Sequence, residues 1–334
     1  MAAKAGLLKC LKTPPWREAT YFLLSSSPDN TMRKGYLILL LVFELLFTTL
    51  QLTAQSNATG LHVLVVIAHP DDESTFSVTL YKIAKEQHGK VDLFVITDGE
   101  AGYKYSTLAE EYYHIGLTNK TAARTNLPAI RKKELRNAGN ILGVSNYYFE
   151  DQIDAHFGLD EKEPLDTSWN VPFVEQRLNH ILAAEHYDFV FCLLPDPSTH
   201  GEHKAATLLA LRAVERLPLN NRPLVLGAIT RNKTEPIFRF SRYQDYRETQ
   251  TVTDTPSFYV DRTTSFGYRN RINYKIIANW ELAEHKTQGF TQMTMNDGDL
   301  EEFWYFKLNG KAGVEKCVAL FNLLKQTPYL SKIY

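Results

Sequence analysis

The sequence predicts an α/β fold, a Rossmann-like three-layer sandwich with a mostly parallel sheet and a strand-rich C-terminal extension. Three observations predict it. From residue 61 onward, apolar runs alternate with helical patterns in the manner of repeated βα units. The first run, LHVLVVI at 61–67, is apolar at nearly every position, as expected of a parallel strand covered on both faces. Clusters of histidine and carboxylate directly follow two of these runs, where open α/β sheets place their ligands.

The elements follow in order. After the first strand, Phe76, Leu80, Ile83 and Ala84 recur at helical spacing. Residues 91–97 form a second strand, and Asp98-Gly99-Glu100 turns away from its end. The stretch 103–127 is polar and weakly periodic, which predicts a surface excursion near the site. Leu135, Ala138 and Leu142 mark a helix that closes at Gly143, glycine being favoured just past a helix end. A short strand at 147–149 ends at Glu150 and Asp151. Val174, Leu178, Ile181 and Leu182 give the next helical face, followed by a strand at 189–194, a helix around 205–214 and a strand at 224–230. Beyond Arg231 the pieces become shorter, aromatic and Thr-rich, as in Ser257-Phe258-Tyr259-Val260, before a helical stretch through Ile276, Trp280 and Ala283. Trp280, Phe303 and Trp304 read as core.

Composition narrows the function. A chain of 334 residues with 44% hydrophobic content can bury a substantial core. Its 37 Lys and Arg nearly balance 38 Asp and Glu, so no global field recruits nucleic acid, and selectivity must come from a local site. The first sixty residues differ from the rest. Met32-Arg33-Lys34-Gly35 precedes an apolar run at 36–47 and a small-residue end at Ala54-Gln55-Ser56, the order of a signal peptide. This predicts an upstream extension at 1–31, a signal segment at 32–56 and one catalytic domain at 61–334, in a secreted or periplasmic protein. The alternative is an uncleaved membrane anchor at 36–53. Of the three cysteines, Cys192 and Cys317 read as buried free thiols.

The chemistry sits in two clusters. His69-Pro70-Asp71-Asp72-Glu73 follows the first strand, and Pro195-Asp196-Pro197-Ser198-Thr199-His200-Gly201-Glu202-His203 follows the strand at 189–194. His200 and His203 are three apart, which puts both imidazoles on one side of a helical turn. Two imidazoles and a carboxylate with an open position are what hydrolytic zinc sites use. A carboxylate beside a ligand can serve as base, and a histidine not bound to metal as acid. Spacing alone does not say which residue of each pair takes which role. Taken singly, the first cluster could be a proline turn with Asp72 as helix cap, and Ser198 or Thr199 could cap the following helix. The two clusters together favour a metal.

At these residues the chain resembles the LmbE-like or PIG-L superfamily of zinc-dependent N-deacetylases, whose first motif reads His-Pro-Asp-Asp-Glu. The resemblance implies that His69, Asp72 and His203 hold Zn²⁺ or another divalent transition metal such as Fe²⁺. It makes Asp71 the general base and His200 the acid that also polarises the oxyanion; Glu202 is read as orienting His200 or His203 from behind, and Glu73 as a supporting or helix-start group. Arg131, in an Arg-x-x-Glu pattern with Glu134, is implied to contact substrate, and Asp151 to bind a sugar hydroxyl. Lys275, Ala278, His285 and Gln288 resemble a C-terminal signature of the family, and His285 is read as a structural histidine, three ligands being already named. The implied reaction removes an N-acetyl group from an amino sugar or a related conjugate. The alternatives are an amidase acting on a non-sugar N-acyl substrate and a non-catalytic carbohydrate-binding homologue. The latter would lack the base or a ligand, and neither is missing. The chain departs from the family pattern at 103–127 and 231–270.

Overall fold

Strand β1 (His62–Ile67) is buried along its whole length in the computed structural model, which describes residues 60–329. The signal segment, the anchor alternative and the upstream extension lie outside the described residues. A strand buried on both faces needs partners on both edges and helices on both sides. β2 (Lys90–Thr97) pairs with one edge and carries β3 (Asn146–Gln152) beyond it. β4 (Phe189–Leu193) pairs with the other edge and carries β5 (Leu224–Arg231). All four of these pairings are parallel. The chain therefore builds outward from β1 in one direction, then returns to build in the other, and the reversal lies between β1 and β4. Such a switch point opens a crevice at the strand carboxyl ends.

The C-terminal extension contributes β6 (Phe258–Asp261), the short pair β7 (Ser265–Phe266) and β8 (Ile272–Asn273), and β9 (Leu300–Tyr305). β9 runs antiparallel to β5, with β6 beyond it, so the main sheet has seven strands in the order β3-β2-β1-β4-β5-β9-β6. The helices are α1 (Ser77–Tyr81), α2 (Thr107–Tyr113), α3 (Lys120–Leu142), α4 (Val171–Ala184), α5 (Gly201–Arg216), α6 (Lys275–Leu282), α7 (Gly289–Gln292) and α8 (Gly313–Leu324). Strand alternation sorts them into layers. Val63, Val65 and Ile67 point to the side packed by α1, α3, α6 and α8, while Leu64, Val66 and Ala68 point to α4 and α5. Among the described residues no helix is long and apolar enough to cross a membrane.

Three expectations change. Trp280, read as core, is 57% exposed, because α6 turns Ile277, Ala278, Glu281 and Leu282 inward and leaves Trp280 on its outer face. The polar stretch 103–127 is largely helical, containing α2 and the first turns of α3. Pro128 inside α3 disguised that helix, since proline forfeits one intrahelical bond. Its start is fixed by Asn119, whose side-chain oxygen accepts from the amides of Thr121 (3.0 Å) and Ala122 (3.2 Å). The cap expected at Ser198 or Thr199 is absent: α5 is N-capped by His200 without a side-chain cap bond, and the Thr199 hydroxyl turns to His203 instead. Cys192 and Cys317 are both buried and unpaired, as read.

Candidate active site

The strand β1 ends in a backbone that leaves regular structure abruptly. Asp71 has φ 141°, a conformation that non-glycine residues rarely adopt and that persists only when its surroundings hold it. The surroundings are visible. Its backbone N–H donates to Glu73 Oε2 (3.0 Å), and its Oδ2 accepts from the Thr291 hydroxyl (2.7 Å). Glu73 in turn accepts from His285 Nε2 at Oε1 (2.6 Å), and His285 also pairs with Glu281 (3.3 Å). Burial lifts the Glu73 carboxyl to about 8 against the pull of His285. Burial opposes a charge on His285, but the Glu73 and Glu281 carboxylates around it outweigh that and raise its pKa. His285 is fully buried, which agrees with its reading as a structural histidine.

Asp72 faces the other way. Its Oδ2 accepts from the amides of Ala68 (3.1 Å) and His69 (2.8 Å), leaving Oδ1 directed at His203 Nε2, 3.0 Å away. His69 Nδ1 lies 3.1 Å from the same His203 nitrogen and 3.4 Å from Asp72 Oδ2. The outer nitrogen of each imidazole is held: His69 Nε2 donates to Glu202 Oε2 (2.8 Å), and His203 Nδ1 bonds the Thr199 hydroxyl (3.0 Å). Two imidazoles tethered from behind with their inner nitrogens converging on one carboxylate is the arrangement that orients metal ligands. Tetrahedral ligands at about 2.1 Å from a metal stand roughly 3.4 Å from one another, and the separations of 3.0 to 3.4 Å between the two imidazoles and the two Asp72 oxygens are of that order. The local field agrees. Burial disfavours charge on His69, yet Asp72 and Glu202 hold its pKa well above the usual value, which marks a cavity that favours a cation. Asp72 is also buried, and the imidazoles of His203 and His69 nonetheless hold its carboxyl well below the usual range.

Asp71 and His200 flank these donors. Burial and the adjacent Asp72 charge raise the Asp71 pKa, while His285, Arg131 and Thr291 pull it back. His200 Nε2 lies 3.1 Å from the His156 carbonyl; a carbonyl only accepts, so Nε2 carries the proton and Nδ1 is the atom left to exchange one. Burial and the His69 and His203 imidazoles depress His200 to about 4. Its ring stacks on His69 at 5.1 Å and on Phe157 at 5.2 Å.

These five residues open into a cavity of about 410 Å³ whose walls also include Arg131, Asp154, Phe157, Gln288, Phe290 and Thr291. Arg131 is 2% exposed, and neither its Nε nor its Nη2 has a hydrogen-bond partner among the described residues. A buried guanidinium with idle donors in a cavity wall is a binding group awaiting an acceptor. Its place depends on two glycines: a Cβ on Gly99, which has φ +66°, would collide with Nη1, and one on Gly102 would lie 2.6 Å from Nη2.

The structure brings His69, Asp71, Asp72, His200, His203 and Arg131 together, with Glu73 and Glu202 behind them. It does not bring Asp151. The Asp151 side chain is 63% exposed and pairs with Lys132, because β3 runs on to Gln152 and Asp151 is still in the strand. The acidic residue that follows the strand into the pocket is Asp154, which accepts from the Ala101 amide (2.9 Å). Asp154 and Thr291 were missed. Reading the third strand to its true end would have found the first, but Thr291 carries no local signal and is delivered by the tertiary fold.

Residues 64–214 match the PIG-L family, described as GlcNAc-PI de-N-acetylase. A protein of Bacillus cereus named probable N-acetyl-alpha-D-glucosaminyl L-malate deacetylase 2 is 26% identical over 247 residues, covering 74% of this chain and 98% of that one. A Bacillus anthracis protein of the same name is 29% identical over 174 residues, 52% of this chain and 68% of its own. Among solved structures, N,N'-diacetylchitobiose deacetylase from Pyrococcus horikoshii is 19% identical, with TM-score 0.39 over 72% of this chain and 82% of that chain.

Proposed function

We propose, on the premise that this chain belongs to the PIG-L family through residues 64–214, that it is a hydrolase releasing acetate from an N-acetylated amino sugar or its conjugate. The observation that carries the proposal is the convergence of His69 Nδ1, His203 Nε2 and the Asp72 carboxylate beside a second, uncoordinated carboxylate on Asp71. The names of the similar Bacillus proteins support an N-acetylglucosaminyl substrate.

His69, Asp72 and His203 would hold the metal. A divalent transition metal there supplies Lewis acidity, polarising the amide carbonyl and making water acidic enough to lose a proton near neutral pH. Two imidazoles favour Zn²⁺, Fe²⁺, Co²⁺ or Ni²⁺ over Mg²⁺ and Ca²⁺. Asp71 takes the proton of the attacking water. Thr291 occupies its Oδ2, and no described residue occupies Oδ1, so that oxygen is the acceptor. As the water oxygen bonds to the acetyl carbon, negative charge builds on the former carbonyl oxygen beside His200. In the resting pocket His200 is neutral; the new charge lets its Nδ1 take up a proton from solvent, and the proton held by Asp71 returns to solvent after turnover, so protons balance. When the C–N bond breaks, that proton goes to the departing amine and acetate is released. Arg131 binds an oxygen of the substrate through its idle donors, and the strained Asp71 backbone is held for the reaction by Glu73, His285 and Thr291.

Acetate release measured across N-acetylated amino sugars, simple N-acetyl amides and acetyl esters tests the reading. Turnover of the sugars at least about a hundredfold above the amides is expected, since binding energy from the rest of the substrate lowers the barrier. Equal rates on all three classes, or none, would contradict it.

A further inference from the structure

His200 has one atom to aim. Its Nδ1 must point into the cavity, yet the residue stands at the junction before α5, with φ −55° and ψ 142°, outside the regular helix. Helix geometry therefore does not fix its imidazole, and the second side-chain torsion of histidine is broad by nature. The Nε2 bond to the His156 carbonyl (3.1 Å) anchors one edge of the ring and leaves it free to rock. Three neighbouring rings restrain that motion. His203 meets the imidazole edge-on at 5.5 Å, and His69 lies against it at 5.1 Å with an interplanar angle of 20°. Both are already oriented by partners of their own, Thr199 and Glu202 respectively. Phe157 makes the flattest contact, at 5.2 Å and 8°.

Phe157 is 77% exposed, which is not the place of a phenylalanine that serves the core. Its loop is nonetheless pinned to the start of α5 on both sides of it. The Ala155 amide donates to Glu202 Oε1 (3.3 Å), the His156 carbonyl accepts from His200, and the Gly158 carbonyl accepts from the Gly201 amide (2.7 Å). These bonds carry the phenyl ring at a set distance from the imidazole. The ring comes from the loop after β3, outside both histidine motifs, and the reaction steps above give it no task.

We propose that Phe157 is a positioning residue for His200: its stacked face holds the imidazole plane so that Nδ1 stays directed at the departing amine. The kinetic test of this role rests on the deacetylase reading above, and the spectroscopic test does not. In the full Zn²⁺-loaded chain, Phe157→Leu keeps the bulk and removes the flat face, while Phe157→Tyr keeps both. With N-acetylglucosamine as substrate, Phe157→Leu should lower kcat roughly threefold to tenfold, the worth of one aromatic pair. KM should stay unchanged, because the contact counts only in the transition state. Phe157→Tyr should restore the wild-type kcat. Nitrogen NMR of isotope-labelled histidines reads the ring directly. His200 should show one tautomer, with the proton on Nε2, in the wild type and in Phe157→Tyr, and mixed or broadened signals in Phe157→Leu. His200 signals in Phe157→Leu identical to those of the wild type would overturn the proposal. So would a kcat that leucine leaves unchanged, a loss that tyrosine does not restore, or a rise in KM at constant kcat, which would make the ring a platform for substrate. If even the wild type releases no acetate, the deacetylase reading fails, and the NMR comparison still decides the role of Phe157.

Discussion

Glu202 illustrates how one side chain ties two functions together. Its Oε2 accepts from His69 Nε2, fixing which imidazole nitrogen faces the proposed metal position, and its Oε1 accepts from the Ala155 amide (3.3 Å), steadying the loop that carries Phe157 and His156. Replacing it with glutamine keeps the size but removes the negative charge behind His69. Competition with a chelator should show Glu202→Gln holding its metal 10–100-fold more weakly than the wild type, with the fold intact. Unchanged retention would mean that His69 needs no orienting partner. At this scale the sequence was most informative, because His69-Pro70-Asp71-Asp72-Glu73 and His200-x-x-His203 are local patterns and each residue's chemistry is legible from its type. What could not be read is the strain at Asp71 and the hydroxyl of Thr291 that steadies its carboxylate, since the contact spans 220 positions of sequence.

Among the elements, β9 does more than extend the sheet. Its Glu301 is fully buried, and one carboxylate accepts from the Val78 amide (2.8 Å), the Thr79 amide (2.8 Å) and Arg262 Nε (2.9 Å). It thereby caps α1, whose own N-terminus has no side-chain cap, and fixes the irregular turn that follows the metal motif. Arg262 also donates to the Ser74 carbonyl (2.6 Å). Removing the carboxylate leaves Arg262 Nε, the Thr79 hydroxyl and two amides without their acceptor, and the buried guanidinium without its counter-charge. Glu301→Ala should therefore lose about 3 kcal/mol in urea unfolding, and a loss below about 1 kcal/mol would show that water or a shifted side chain replaces the cap. The same strand explains a failure of pattern reading. In Leu300-Glu301-Glu302-Phe303-Trp304-Tyr305 two carboxylates interrupt the apolar run, yet both are buried and paired, Glu302 with Arg231 (2.6 Å). The parallel strands β1, β2, β4 and β5 were legible because their burial is predominantly apolar, the buried His62–Asp92 pair of β1 and β2 aside. A strand whose burial is bought with long-range ion pairs is not.

For the molecule as a whole, the switch point between β1 and β4 governs everything else. It sets the ends of two adjacent strands side by side, so that motifs about 130 residues apart meet in one cavity. The C-terminal extension then closes the cavity from the opposite side with Gln288, Phe290 and Thr291, which makes it part of the site and not an appendage. The fold class and the pairing of the two motifs followed from the order of apolar runs. The composition of the cavity wall did not, because it draws on 103–127 and on the short α7 of the extension, which carry too little periodicity to locate.

The central claim divides labour between two adjacent aspartates, with Asp72 holding the metal and Asp71 moving the proton. Metal content and acetate release measured on the same preparations of Asp71→Asn and His203→Ala test that division most directly. Asp71→Asn should retain metal while its turnover falls by about 10²–10⁴-fold, the usual contribution of a general base, whereas His203→Ala should lose the metal and the activity together. Wild-type turnover in Asp71→Asn, or a fully loaded metal site in His203→Ala, would contradict the account.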